Sequence, residues 1–480
     1  MKITSFPITQ IKPVASQTLP TASLSITTAA NQSDTPVILM NHKSLSHAQG
    51  DEFVSTVLAM QHGQKNPFKN LDALTQYGLK QGESFRASFS TIDFTSNGDP
   101  IDDLKSIERL VSGQQAKDGV SLSLTTSDGD EVSIRLSHVK SSRGGALSGL
   151  SFEFSVQGEL SEEEQQAITQ VASSWQSQID RLTKGDMPDM SLFKDLPSNI
   201  TALNMAVNVG RNEFSVALSQ VDGEKQITAK LNGHQASMTV DLTTVLATNE
   251  AKRQAAVAHY VGLLEDAGQR SKADDKVVDF FSQTFAMMQS VPVAEPKTTD
   301  FQAQRDESLL SGLADYQFDF SAKRQRLNFY PGKEHEVVRF DVSGSQETSV
   351  SGEWKERLIK QTQTLELTSS FYEPLPGWQD IELGMTADKQ NYRYVELNEA
   401  VRKTSEQQYK DGELDYASML TEQSQSRRVR DYLANDLIKD DHQQQTSVEL
   451  KDFTDEIKAA SLNLDLELLD EVLIQWPDLL

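Results

Sequence analysis

The sequence predicts an α+β fold: antiparallel β-hairpins and small sheets flanked by helices, after a disordered N-terminal tail. Three observations carry this. Apolar residues alternate on both sides of Asp-Gly pairs, at Asp128-Gly129 and Asp222-Gly223, the dipeptide that supplies positive φ to tight hairpins. Ser161-Glu162-Glu163-Glu164 places an acid three residues after a Ser N-cap, the signature of a capping box. Before Asp34 there is no acidic residue, although the chain as a whole carries a net charge of −25.

The elements follow in order. The first 33 residues are rich in Ser, Thr, Ala, Gln and Pro, and such a stretch buries too little apolar surface to offset its ordering entropy. Phe53–Met60 and Leu71–Leu79 read as short helices, and Phe85–Phe94 as an extended segment. Asp99-Pro100 opens a helix through Ile101, Leu104, Ile107 and Leu110, stopped by Gly113, with the cap and first-turn proline that helices favour. Val120, Leu122 and Leu124, then Val132, Ile134 and Leu136, form a hairpin, and Phe152–Val156 a third strand. The capped helix carries Ile168, Val171, Trp175, Ile179 and Leu182 on one face and ends at Gly185. Leu192, Phe193 and Leu196 make a short linking helix.

A second hairpin joins Phe214–Leu218 to Ile227–Leu231, a strand runs through Met238–Leu242, and two helices follow. Hairpin, strand and helix thus recur near 120–184 and 212–269, in the manner of a diverged internal repeat. Val291-Pro292-Val293-Ala294-Glu295-Pro296 reads as a linker. Beyond it Leu309, Leu310 and Leu313 end a short helix, and strands are expected at Tyr316–Phe320, Leu327–Phe329, Val337–Val342, Leu365–Leu367, Ile381–Met385 and Tyr392–Leu397. Glu399–Ala434 is polar and reads as helix-prone, Asp440–Gln445 as a solvated loop, and Leu450, Phe453, Ile457 and Leu464 as a terminal helix. The organisation expected is a tail over 1–50, an α+β domain over 51–290 and a second α+β domain over 300–480. A length of 480 residues accommodates this at roughly 100–200 residues per domain.

Composition excludes several classes. A net charge of −25 repels a phosphate backbone and an anionic bilayer, so nucleic acid is not an expected partner. The absence of Cys removes disulfides, zinc thiolates, iron–sulfur clusters and thiol nucleophiles. Pro7, Pro13 and Pro20 interrupt every apolar run near the start, and nowhere are there 18 consecutive apolar residues, so neither a Sec signal nor a membrane span is expected. The expectation is a soluble, cytoplasmic protein; the alternative is export by a type III or flagellar-like route, which leaders of this composition resemble.

Phe154-Ser155-Val156-Gln157-Gly158-Glu159-Leu160, followed by the acidic cap and Ala167-Ile168, resembles a stretch recurring in uncharacterised proteins of Gram-negative bacteria. Asp128–Val132 and Gly185-Asp186 are similar to their hairpin and helix end. The resemblance covers about 120–210. It implies a proteobacterial source and structural roles for these residues, and it carries no activity.

The search for chemistry yields no catalytic, cofactor-binding or metal-binding residue. The eight His residues form no His-x-x-x-His pair, and His42 and His47 lie in or beside the tail. On a strand, Glu334-His335-Glu336 would turn His335 away from both carboxylates. Asp128 and Asp130 serve a turn better than a calcium loop, and Asp99, Asp102 and Asp103 a helix start. No Gly-x-Ser-x-Gly elbow, phosphate loop or dinucleotide fingerprint occurs, and Pro331-Gly332-Lys333 reads as a turn.

Two basic spots interrupt the acidic field, Lys323/Arg324/Arg326 and Arg427/Arg428/Arg430. If helical, the second places Arg427 and Arg430 on one face, away from Arg428. The C-terminus crowds Leu464, Leu466, Leu468, Leu469, Val472, Leu473 and Ile474 among acids, a helix either docked on its own domain or offered to a groove. The expectation is a non-catalytic interaction or structural module, with the C-terminal Leu-rich helix or the Arg427–Arg430 patch meeting a protein partner. The alternatives are an exported protein and a hydrolase whose site follows no motif.

Overall fold

The computed structural model describes residues 37–44, 57, 66–82, 84–93, 118–140, 147–194, 196–244, 250–290, 308–353, 355–459 and 468–477. The tail before residue 34, the helix expected at 53–60 (Val57 apart), the helix opened by Asp99-Pro100, the 291–296 linker, His47 and Leu462–Leu466 lie outside them. The chain divides into two compact units.

The smaller unit combines Met1–Pro67, Phe85–Ala116 and Ser137–Glu153. In it β1 (Val37–Ser44) pairs antiparallel with β2 (Phe85–Asp93), Val37 opposite Asp93. Arg86 bonds Glu153 at 2.8 Å, and the Phe85 and Phe152 rings lie 5.7 Å apart.

The larger unit comprises Phe68–Ser84, Lys117–Leu136 and Phe154–Leu480. It begins with α1 (Leu71–Gln81) and β3 (Asp118–Thr126). It shares β4 (Glu131–Lys140) and β5 (Leu147–Gln157) with the smaller unit. Next comes α2 (Glu162–Lys184), whose capping box is present in full: the Ser161 hydroxyl accepts from the Glu164 amide and the Glu164 carboxylate accepts from that of Ser161. Gly185 closes the helix in the left-handed conformation, its N–H satisfying the Arg181 and Leu182 carbonyls. The linking helix is a single 3-10 turn over Met190–Phe193.

A four-strand meander follows, β6 (Ile200–Val209), β7 (Asn212–Val221), β8 (Glu224–Leu231) and β9 (His234–Asp241). Sequence reading missed β6. Positive φ at both Asp222-Gly223 and Asn232-Gly233 gives the turns whose twist matches that of paired strands. Buried positions alternate with half-buried ones along β3 and with exposed ones along β10, as one covered face requires. Helices α2, α3 (Glu250–Arg270) and α4 (Asp275–Gln289) contribute to the core. Its aromatic centre brings Phe281 and Phe285 of α4 within 5.2 and 5.7 Å of Phe320 and Phe318.

The sheet then continues through β10 (Asp315–Ser321), β11 (Arg339–Ser351), β12 (Leu358–Glu373), β14 (Gln390–Lys410), β15 (Glu413–Leu433) and β16 (Asp436–Asp452), with β13 (Glu382–Leu383) beside β14. The path β3-β6-β7-β8-β9-β10-β11-β12-β14-β15-β16 ends at β16, and each of these neighbouring strands pairs antiparallel with the next. Among the described residues two short helices follow, α5 (Thr454–Ala459) and α6 (Leu469–Val472).

The mixture of helix and antiparallel sheet is as expected; the small sheets are not, since one long meander dominates. Glu399–Ala434 is not helical but forms most of β14 and β15, and Asp440–Gln445 is the middle of β16 rather than a loop. Leu450 is likewise a strand residue. Residues 308–313 are turns and bends, and the body of the helix expected to end there lies before 308, outside the described residues; Leu327–Phe329 is irregular.

The reason is visible in β14. From Glu399 to Tyr409 every second residue is buried, and these inward positions are Glu399, Val401, Lys403, Ser405, Gln407 and Tyr409. Their period is 2, but their polarity hides it from any hydrophobic pattern. Tertiary partners outweigh local propensity here.

Candidate functional site

The densest group of buried ionisable side chains lies at one end of the larger sheet. Pro331-Gly332 turns the chain, with Gly332 at positive φ, and carries Lys333 and Glu336 inward. The Glu336 side chain is fully buried. It accepts from the Lys333 ammonium at 3.2 Å and from the Tyr392 hydroxyl at 2.7 Å, while the Tyr372 hydroxyl donates to the Glu336 backbone carbonyl at 2.9 Å and lies 3.4 Å from the carboxylate. Tyr394 donates to the Val337 carbonyl at 2.9 Å and accepts from its amide at 3.1 Å.

Strand register assembles these rings. Tyr372 lies opposite Tyr394, and Tyr392 opposite Tyr432, each pair with centroids 5.0 Å apart. The Lys333 ammonium sits 3.2 Å from the Tyr432 ring centroid, a cation–π contact within a largely water-excluded shell. Burial lowers the Lys333 pKa, against the pull of Glu336. Burial, with Glu336 adding to it, raises Tyr372, Tyr392 and Tyr432.

Chemically this is an anchor. Lys333 holds Oε1 of Glu336 and the Tyr392 hydroxyl holds Oε2, which ties the turn and the strand to one buried group. Two excursions lie beside the anchor, 322–338 and 374–389, and hydrogen bonds of their own tie them down. Asn328 donates to Gln390 at 2.7 Å, Gly384 to the Lys389 carbonyl at 3.0 Å and Asn391 to that of Asp388 at 2.8 Å. On these excursions Leu327, Phe329, Trp378, Ile381 and Met385 are exposed, Phe329 at 59% and Met385 at 66%. The Arg326 guanidinium lies 5.4 Å from the Phe329 ring.

The sequence singled out Glu334-His335-Glu336 as a strand. It is a turn, in which His335 is exposed and lies 3.9 Å from the Glu336 carboxylate, not on an opposite face. Lys333 and the four tyrosines were missed. Tyr392-x-Tyr394 was the available signal, two like residues on one strand face. Asp130 sits in a four-residue loop, its amide bonded to the Thr126 hydroxyl at 3.1 Å; His42 lies in β1, and Asp99, Asp102 and Asp103 lie outside the described residues.

In each basic spot two of the three bases are paired with an acid. Arg324 pairs with Asp341 at 3.8 Å and Arg326 with Glu334 at 3.4 Å. Arg427, Arg428 and Arg430 are on β15, not a helix, so Arg427 and Arg430 fall on opposite faces. Arg428 meets Asp440 through two bonds of 2.9 and 2.8 Å, and Arg430 meets Glu396 at 2.8 Å.

The C-terminal segment is docked on its own unit. Leu469, Val472, Leu473, Ile474 and Trp476 are buried. Lys403 donates to the Glu471 and Leu473 carbonyls, both at 2.6 Å, and Gln363 to that of Val472 at 3.2 Å. His259 Nε2 reaches the Ile474 carbonyl at 2.7 Å, and Trp476 donates to that of Leu263 at 2.8 Å. These donors satisfy an irregular backbone that would otherwise be orphaned. Those side chains are therefore unavailable to a partner while the segment stays docked.

A cleft of about 210 Å³ lies beside α2, lined by Gln170, Ser174, Ser191, Phe193 and Met205 among others, and holds no ionisable side chain. Among the described residues no group of three His, Asp or Glu could hold a metal ion, and no helix is long and apolar enough to cross a membrane. Compared with family models, curated proteins and solved structures, the chain matches none.

Proposed function

We propose that the protein is a non-catalytic interaction module whose working surface is the loop end carrying Leu327, Phe329, Trp378, Ile381 and Met385. One observation supports this above others: large apolar side chains stand in solvent on two hydrogen-bonded excursions beside a buried Lys–Glu–Tyr group. Rigid loops that expose aromatic and Met side chains lower the ordering cost of association, and Trp, Phe and Met are enriched at interface centres. The partner is a protein, since the chain's charge disfavours nucleic acid.

Phe329→Ser with Trp378→Ser tests it. Both residues are exposed, so the double variant keeps the wild-type melting temperature. Protein co-purifying with the full chain from its native host is lost with the variant. If that protein is recovered undiminished with the variant, these loops are not the interface.

A further inference from the structure

A second surface, remote in role from the loops, lies along the last strand. Among the described residues β16 is paired on one side only, with β15. Of its 17 residues all but Asp441 and Ser447 are exposed, so among the described residues neither face is covered and the outer edge is open. Long regular edges recruit further strands unless charge or distortion blunts them. The ladder with β15 is regular from Lys439 to Asp452 and shifts only beyond Asp431, at Ile438.

We propose that two copies of the chain join through this edge, β16 against β16 in antiparallel fashion, about a twofold axis at Gln444. A twofold relation places each residue opposite its reflection through the central one. With Gln444 central, Lys439 faces Glu449 twice and Gln443 faces Gln445, all within the regular part of the strand. Over that stretch no two like charges meet.

Neighbouring registers do worse. A centre at Gln445 sets Lys439 against Lys451, and a centre at Gln443 loses both Lys–Glu pairs. The acids in the middle of the strand are already compensated within the chain: Arg428 holds Asp440, and Lys439 lies 3.4 Å from Asp441. The charges that would guard the edge against arbitrary strands are thus complementary to this one.

Sedimentation equilibrium of the full chain, with circular dichroism as a check on folding, tests the proposal. Wild type is expected to dimerise. Lys439→Glu should weaken dimerisation by roughly tenfold or more, as two opposed pairs become repulsive, and adding Glu449→Lys should restore it. Because the chain has no Cys, Gln444→Cys reports the register directly: the two thiols meet across the axis and oxidise to a covalent dimer. In Thr446→Cys they stand about 13 Å out of step and should not. A wild-type monomer at about 100 µM, a concentration where even weak interfaces fill, overturns the proposal. So does a dimer indifferent to Lys439→Glu, or cross-linking of Thr446→Cys as fast as Gln444→Cys.

Discussion

Ala434 and Asn435 form the two-residue turn between β15 and β16, with φ of 49° and 69°. The comparable positions elsewhere are Asp222-Gly223, Asn232-Gly233 and Asp411-Gly412, all residue types that tolerate left-handed backbone. Ala does not, because its Cβ crowds the following carbonyl. Ala434→Asn should therefore stabilise the fold by roughly 1 kcal/mol, read as a higher urea midpoint at unchanged slope; a lower midpoint would mean that the strain is already relieved. Turn residues were the most legible part of the sequence: Asp222-Gly223 announced its hairpin. Asp411-Gly412 offered the same signal in the middle of a stretch read as helix, and it outweighs the local helix propensity. Lys333 was not legible, because a Pro-Gly-Lys turn is ordinary until the chain around it closes.

At the scale of elements, most strands with an apolar inward face were readable, β6 with Leu203, Met205 and Val207 being an exception, and strands with a polar one were not. β7 shows Phe214, Val216 and Leu218 at alternate places, whereas β14 turns Glu399, Lys403 and Gln407 inward. Each of these acquires its partner from far along the chain: Glu399 from Arg270 at 2.7 Å, Gln407 from Ser308 at 2.9 Å, and Lys403 from the C-terminal segment. Such pairs leave no trace in a local window. Lys403 also makes the docking of that segment pH-dependent. Burial lowers its pKa to about 8, while the unfolded chain titrates near 10.4. Below pH 8 both states hold the proton and the buried charge exerts its full cost. Between about 8 and 10.4 the unfolded chain binds more protons, so stability rises with pH, by up to roughly 2–3 kcal/mol. Denaturant unfolding at pH 7 and pH 9.5 should show this rise in wild type and a smaller one in Lys403→Met; equal slopes in both would remove Lys403 as its source.

Over the whole molecule the opposite trend sets in at higher pH, and its source is the tyrosines. Burial raises the pKa of Tyr260 on α3 and Tyr316 on β10, and of Tyr372, Tyr392, Tyr394 and Tyr432 around Glu336. A phenol whose folded pKa exceeds its unfolded value contributes stability that is complete below the unfolded pKa, near 10, and is lost as pH climbs through the folded one. The six lie in two separate places, the helix-covered centre and the loop-bearing end, so ionisation strains both together. Spectrophotometric titration at the phenolate band should show these six silent as pH passes 10, then released in one cooperative step that coincides with loss of the far-ultraviolet signal. Tyr392→Phe, which removes a donor from Glu336 as well as a titrating phenol, should lower the urea midpoint at pH 7 by a donor's worth, about 1–3 kcal/mol. Six independent titrations, complete before any change in secondary structure, would mean that neither site excludes water and that the Glu336 anchor is not closed.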